Sequence, residues 1–173
     1  SLPAACSPYG IAAGPDGNLW FTEGNANKIG RITTAGVITE FPLPAAGSGT
    51  VAIVAALDGN LWFTEANANK IGRITTAGGV TEFPIPTASS GPGGIAAGPD
   101  GNLWFTEFTA NQMGRITTAG VITEFSIPTA DSEPYRVAAA PDGNLWFTEA
   151  EANKIGRITT AGVITEYPIP TSG

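Results

Sequence analysis

Glu23 and Glu40 are a carboxylate pair of the kind that could share acid and base duties or grip a cation. The pair returns as Glu65 and Glu82, Glu107 and Glu124, and Glu149 and Glu166. An active site present in four equal copies would be unusual, so these side chains read as surface or edge charges. Asp16, Asp58, Asp100 and Asp142 each precede a glycine at a turn signal, where an Asp side chain caps its own backbone. One carboxylate per turn falls well short of the roughly 6–8 oxygens of a calcium site, so these aspartates read as turn chemistry and no metal ligand is assigned. No Ser-His-Asp, Cys-His, Cys-x-x-Cys or phosphate-loop pattern occurs, and the chain has no histidine at all. The side chain best suited to proton transfer near neutral pH is therefore missing, and no catalytic residue is assigned. Cys6 is the single cysteine and cannot form an intramolecular disulfide; it takes the place of Ser48, Ser90 and Ser132 and reads as a small packing residue.

The elements that position these residues follow from a repeat. Trp20, Trp62, Trp104 and Trp146 stand 42 residues apart, each inside the same string, Asp-Gly-Asn-Leu-Trp-Phe-Thr-Glu. Self-similarity at such a period marks a modular architecture and outranks any local reading. Within the first unit, residues 10–13 form a short small-residue strand (A) that ends at the Pro15-Asp16-Gly17 turn. Residues 19–23 make an aromatic strand (B). After the loop 24–27, residues 28–33 and 37–41 make strands C and D, joined by the Thr34-Ala35-Gly36 turn. Pro42 and Pro44 lack the donor a ladder needs, so pairing stops there.

Four short antiparallel strands in 42 residues is the size of a propeller blade. If Glu23 and Lys28 close the B–C hairpin, Trp20 lies opposite Arg31 and Thr39 on one face and Phe21 lies opposite Gly30 on the other. Arg31, Arg73, Arg115 and Arg157 are then placed over the tryptophan rings as structural cations. A sheet with bulk on both faces must be covered on both, which is the condition of a blade between neighbours. Strand A is nearly all Gly and Ala, as expected where blades converge on a crowded axis. The expected fold is all-β: a β-propeller array with four four-stranded antiparallel blades, at about 9–44, 51–86, 93–128 and 135–170. Asn27, Asn69, Asn111 and Asn153 are expected to tolerate positive φ in the B–C loops.

Differences among the copies collect in two places, the B–C loops and the D-to-A linkers, and in such a blade both open on the same side of the disc. Loops on a rigid scaffold are where binding residues sit. Tyr9, Phe108, Asp131, Glu133, Tyr135, Arg136 and Glu151 give that face its aromatic and charged individuality and are the candidate ligand-binding residues.

Residues 14–23 (Gly-Pro-Asp-Gly-Asn-Leu-Trp-Phe-Thr-Glu), 27–33 (Asn-Lys-Ile-Gly-Arg-Ile-Thr) and 38–44 (Ile-Thr-Glu-Phe-Pro-Leu-Pro) together resemble the repeat of the virginiamycin B lyase, or streptogramin lyase, family. The resemblance runs through all four repeats. It implies a propeller, seven-bladed in those relatives, and an enzyme that opens the ester of cyclic depsipeptide antibiotics by elimination, with a histidine as general base and magnesium assisting. The place before strand A where such a histidine could sit carries Tyr9, Val51, Gly93 and Tyr135. The residues therefore favour a non-catalytic module that presents a variable loop face to a small-molecule, glycan or protein ligand, with no cofactor. A depsipeptide lyase, which would use magnesium, and a lectin-like multivalent binder are the rival readings.

The formal charge of -7 is spread over the repeats without a basic cluster, which argues against nucleic acid and anionic membrane partners. No apolar run approaches a membrane span, so a soluble protein is expected, bacterial and either secreted or cytoplasmic. Leu2-Pro-Ala-Ala5 repeats Leu43-Pro-Ala-Ala46, so each blade is read as contiguous and closure must come from blade packing alone. A homodimer completing an eight-bladed ring is the expected assembly.

Overall fold

The computed structural model describes residues 6–170, leaving the Leu2-Pro-Ala-Ala5 segment outside the described residues. Sixteen strands form four separate four-stranded antiparallel sheets, each in simple sequential order. The first sheet is β1 (Pro8–Ala13), β2 (Leu19–Glu23), β3 (Lys28–Ile32) and β4 (Ile38–Pro42). The second is β5 (Thr50–Ala55), β6 (Leu61–Glu65), β7 (Lys70–Ile74) and β8 (Val80–Pro84). The third is β9 (Pro92–Ala97), β10 (Leu103–Glu107), β11 (Gln112–Ile116) and β12 (Ile122–Ser126). The fourth is β13 (Pro134–Ala139), β14 (Leu145–Glu149), β15 (Lys154–Ile158) and β16 (Ile164–Pro168). This is the blade architecture of a propeller. Among the described residues no helix is long and apolar enough to cross a membrane.

Register follows from side-chain chemistry. Trp20 pairs with Arg31, which pairs with Thr39, and Phe21 pairs with Gly30. A Cβ at Gly30, Gly72, Gly114 or Gly156 would collide with the ring of Phe21, Phe63, Phe105 or Phe147, so each glycine is the space its aromatic partner occupies. The tryptophan is fixed at both ends. Asp16 accepts bonds from the Asn18 backbone N–H at 3.2 Å and from the Trp20 indole N–H at 3.0 Å, so one carboxylate closes the A–B turn and anchors the ring. On the other side Trp20 stacks on Phe41, 5.3 Å between centroids, and the Arg31 guanidinium lies 5.6 Å from each ring. Asn27, Asn69 and Asn111 have φ of 57° and Asn153 of 52°, turning the B–C loop, and the Asn27 amide donates to the Leu43 carbonyl.

Blades join through a recurring set of contacts. The Thr22 hydroxyl accepts from the Gly10 N–H and donates to the Val51 carbonyl of the next blade; Thr64 reaches Gly93 and Thr106 reaches Tyr135 in the same way. Arg31, Arg73 and Arg115 donate to the carbonyls of Thr76, Thr118 and Thr160. Apolar packing follows the same route: Trp20, Ile29 and Leu43 of the first blade meet Ile53, Leu61, Phe63 and Ile74 of the second. Strands A converge so closely that a Cβ on Gly10 would come within 2.9 Å of the Val51 carbonyl oxygen, and one on Gly94 within 2.9 Å of that of Tyr135.

Candidate functional site

The B–C loops hydrogen-bond to the D-to-A linkers: Gly24 N–H to the Ser7 carbonyl, Ala66 to Gly49, Phe108 to Gly91 and Ala150 to Glu133. The two variable segments of each blade therefore form one surface. Where the strand A N-termini approach one another, that surface opens into a cavity of about 410 Å3, lined by Tyr9, Val51, Ala66, Pro92, Phe108, Tyr135, Arg136 and neighbouring glycines. All four blades contribute strand residues, so this is the mouth of the hub.

Four of the residues singled out by sequence meet there. Phe108 and Tyr135 form an edge-to-face pair with centroids 6.3 Å apart, and the Arg136 guanidinium lies 4.8 Å from the Tyr135 ring centre. Tyr9 faces them from the first blade and is two-thirds exposed. Asp131, Glu133 and Glu151 do not line the cavity. Asp131 and Glu133 sit at φ of 52° and 51° within the linker, and the Glu151 N–H bonds the Ser132 carbonyl, so these three shape the loop. The linings supplied by Val51 and Pro92 carry no chemical signal in the sequence; Val51 stands 42 residues after Tyr9 and Pro92 stands 42 before Pro134, and that repeat spacing is what could have placed them.

The paired carboxylates are not surface charges. Glu23, Glu65, Glu107 and Glu149, at the ends of β2, β6, β10 and β14, are fully buried, and none of their side-chain oxygens has a hydrogen-bond partner. Burial pushes Glu65 up to about 7, Glu107 to about 8 and Glu149 to about 7, each reinforced by the second carboxylate nearby, Glu82, Glu124 or Glu166. Glu23 shifts the same way from the same first cause. Three blades place a lysine against the second carboxylate: Lys28–Glu40 at 2.6 Å, Lys70–Glu82 at 2.6 Å and Lys154–Glu166 at 3.5 Å. The third blade has Gln112 at that position, opposite Glu107, and its carboxyl is raised furthest.

Glu65, Glu107 and Glu149 titrate in the range of a general base, but all four carboxyls are buried and do not line the hub cavity. Among the described residues one group of potential metal ligands comes together, Cys6, Glu23 and Glu40, with ligand atoms within 4.8 Å of one another. Lys28 already holds Glu40, and a thiol is a poor ligand for magnesium, which takes near-octahedral oxygen. This donor set does not fit magnesium.

Four wedge-shaped blades around a hub, with an aromatic, arginine-flanked cavity at its mouth, define a β-propeller. The chain belongs to the virginiamycin B lyase family, whose model matches residues 1–173. It is similar to the virginiamycin B lyase of Bordetella bronchiseptica, 53% identical over 38 residues, which are 22% of this chain and 13% of that protein. It also superposes on the selenomethionine-substituted virginiamycin B lyase of Staphylococcus aureus at TM-score 0.97 and 53% identity, over 99% of this chain and 59% of that one. A catalytically inactive H270A form of the S. aureus lyase, with quinupristin, matches at TM-score 0.94 and 53% identity over 97% of this chain and 58% of that one. The chain thus spans less than two thirds of the relatives it matches.

Proposed function

We propose that the chain serves a lyase-type propeller acting on cyclic depsipeptides, and that its own part is to bind and position the substrate ring at the hub cavity. The observation that carries this is the cavity itself: Tyr9, Phe108, Tyr135 and Arg136 converge on one concavity within a frame that superposes on the lyase structure with quinupristin. Family membership favours this reading over a free-standing scaffold. Aromatic edges and a guanidinium suit a macrocycle that presents apolar rings and peptide carbonyls.

Elimination removes a proton beside a carbonyl, forms a carbon–carbon double bond and releases the ester oxygen as carboxylate. The relative whose form is inactive carries His→Ala at its position 270, and these 173 residues include no histidine. The cavity lining includes no histidine, carboxylate, lysine or cysteine that could serve as general base. The chain therefore holds the substrate, and proton abstraction needs a group beyond the residues present here.

Titration with quinupristin, followed by tyrosine and tryptophan fluorescence and by chromatography of the antibiotic, tests both halves. Saturable binding without ring opening is expected; chromatography is the readout because elimination leaves the mass unchanged. Absence of binding would overturn the recognition role, and ring opening at an enzyme-like rate would overturn the division of labour.

A further inference from the structure

Three of the four blades hold a cation at a place where the third holds an amide. Lys28, Lys70 and Lys154 are the first residues of β3, β7 and β15, each opposite the buried glutamate that ends the preceding strand. Each reaches across to the second carboxylate of its blade, with Nζ 2.6 Å from Glu40 Oε2, 2.6 Å from Glu82 Oε2 and 3.5 Å from Glu166 Oε2. Gln112 has that position in β11, opposite both Glu107 and Ser126. Ser126 in turn replaces the proline of positions 42, 84 and 168. The third blade thus keeps both carboxylates, Glu107 and Glu124, and loses their countercharge.

The groups gathered there are acceptors. Glu107 is fully buried with no partner for either side-chain oxygen, and Gln112 Oε1 is buried without a donor. Glu107 pairs with Gln112, and Gly114, two residues on, pairs with Glu124, so the three side chains share one face of the blade. Glu82 and Glu166 accept a linker N–H, from Ala45 and Thr129, on Oε1 and give Oε2 to the lysine. Glu124 Oε1 likewise accepts from the Thr87 N–H at 3.0 Å, so Oε2 is the atom for a cation. No basic side chain reaches it: Lys70 and Lys154 are held by Glu82 and Glu166, and Arg115 lies on the opposite face, over Trp104. Ser90 lies beside Glu107, but its hydroxyl donates to Asn69 Oδ1 at 2.9 Å.

We propose that the third blade binds a free monovalent cation of potassium size between Glu107, Glu124 and the Gln112 side-chain carbonyl, in the place that a lysine ammonium takes in the other blades. The class of ion follows from those blades, where one positive charge of ammonium size serves the same two carboxylates. Exchange of lysine for glutamine trades a tethered cation for one more oxygen ligand. A buried carboxylate without a partner is costly, and an ion bound there offsets that cost. Potassium accepts an irregular shell of carboxylate and amide oxygens, whereas magnesium demands a near-octahedral one. Through Glu124 and Thr87 the site is tied to the linker that leads into Gly91 and Pro92 of the cavity wall. Glu107, Gln112 and Glu124 do not line the cavity themselves, so the proposal is independent of the depsipeptide reading.

Thermal melting of the whole chain in two salts tests it, at a pH above about 8 so that Glu107 is ionised. Potassium chloride at about 0.15 M is compared with tetramethylammonium chloride at the same concentration, which screens surface charge equally but is too large to enter. Potassium is expected to raise the midpoint by about 2 °C or more over tetramethylammonium. Equal midpoints in the two salts overturn the proposal. Gln112→Lys supplies the ammonium that the other three blades carry, so this variant is expected to fold and to lose the difference between the salts. A folded variant that keeps the full difference places the ion elsewhere and overturns the site.

Discussion

At the scale of single residues, the buried glutamates make stability depend on pH. Glu107 has an ordinary value of 4.5 and titrates at about 8 in the fold, pushed up by burial and by Glu124. Between those values the folded chain holds a proton that the unfolded chain has released, so stability is fullest below about 4.5 and declines as pH rises through about 8. Glu65 and Glu149, at about 7, add to the same slope. The thermal midpoint should therefore fall as pH is raised from about 5 to about 8, and Glu107→Gln should flatten the upper part of that fall. Gln112→Lys, which restores the residue found in the other three blades, should bring the Glu107 pKa down towards those of Glu65 and Glu149, as read from its side-chain carbonyl shift by NMR titration. A slope unchanged by both substitutions would show that Glu107 stays ionised in the fold. None of this was legible in the sequence: four equal copies of a carboxylate at a strand end look like solvated charge, and only the loops folded over Glu23 and its equivalents reveal that they are sealed.

At the scale of the element, each blade is a wedge held by one tryptophan between a turn carboxylate and a guanidinium. Asp100→Ala removes the acceptor of the Trp104 indole and of the Asn102 backbone and should cost about 1–3 kcal/mol in urea denaturation. Gly72→Ala puts a methyl group into the ring of Phe63, and overpacking of this kind should cost about 1–3 kcal/mol by the same measurement. Strand existence and register were readable because the repeat states the pattern four times and because Trp opposite Arg and Phe opposite Gly are sterically coupled choices. The indole bond to Asp16 was not readable, since an Asp before Gly already has a sufficient reason to be there in the turn.

At the scale of the whole molecule, sequence comparison among the four copies pointed to the loop face on which the hub cavity opens but named the cavity's lining only in part. Tyr9, Phe108, Tyr135 and Arg136 reach the cavity because they flank the first residues of strand A or the B–C loop, the positions nearest the hub. Asp131 and Glu133 in the linker and Glu151 in the B–C loop vary just as much yet do not line the cavity, so variability alone could not separate lining from loop geometry. The same convergence that makes strand A small creates the concavity, and aromatic side chains at its rim give it chemistry. If the cavity is what the chain contributes to a depsipeptide lyase, its aromatic rim must carry the affinity. The direct measurement is calorimetric titration of quinupristin into the wild-type chain and into Tyr135→Ala and Phe108→Ala. Binding at one site per chain, weakened about tenfold or more by either substitution while the melting profile holds, is the result predicted; equal affinity across all three proteins, or no binding at all, would contradict it.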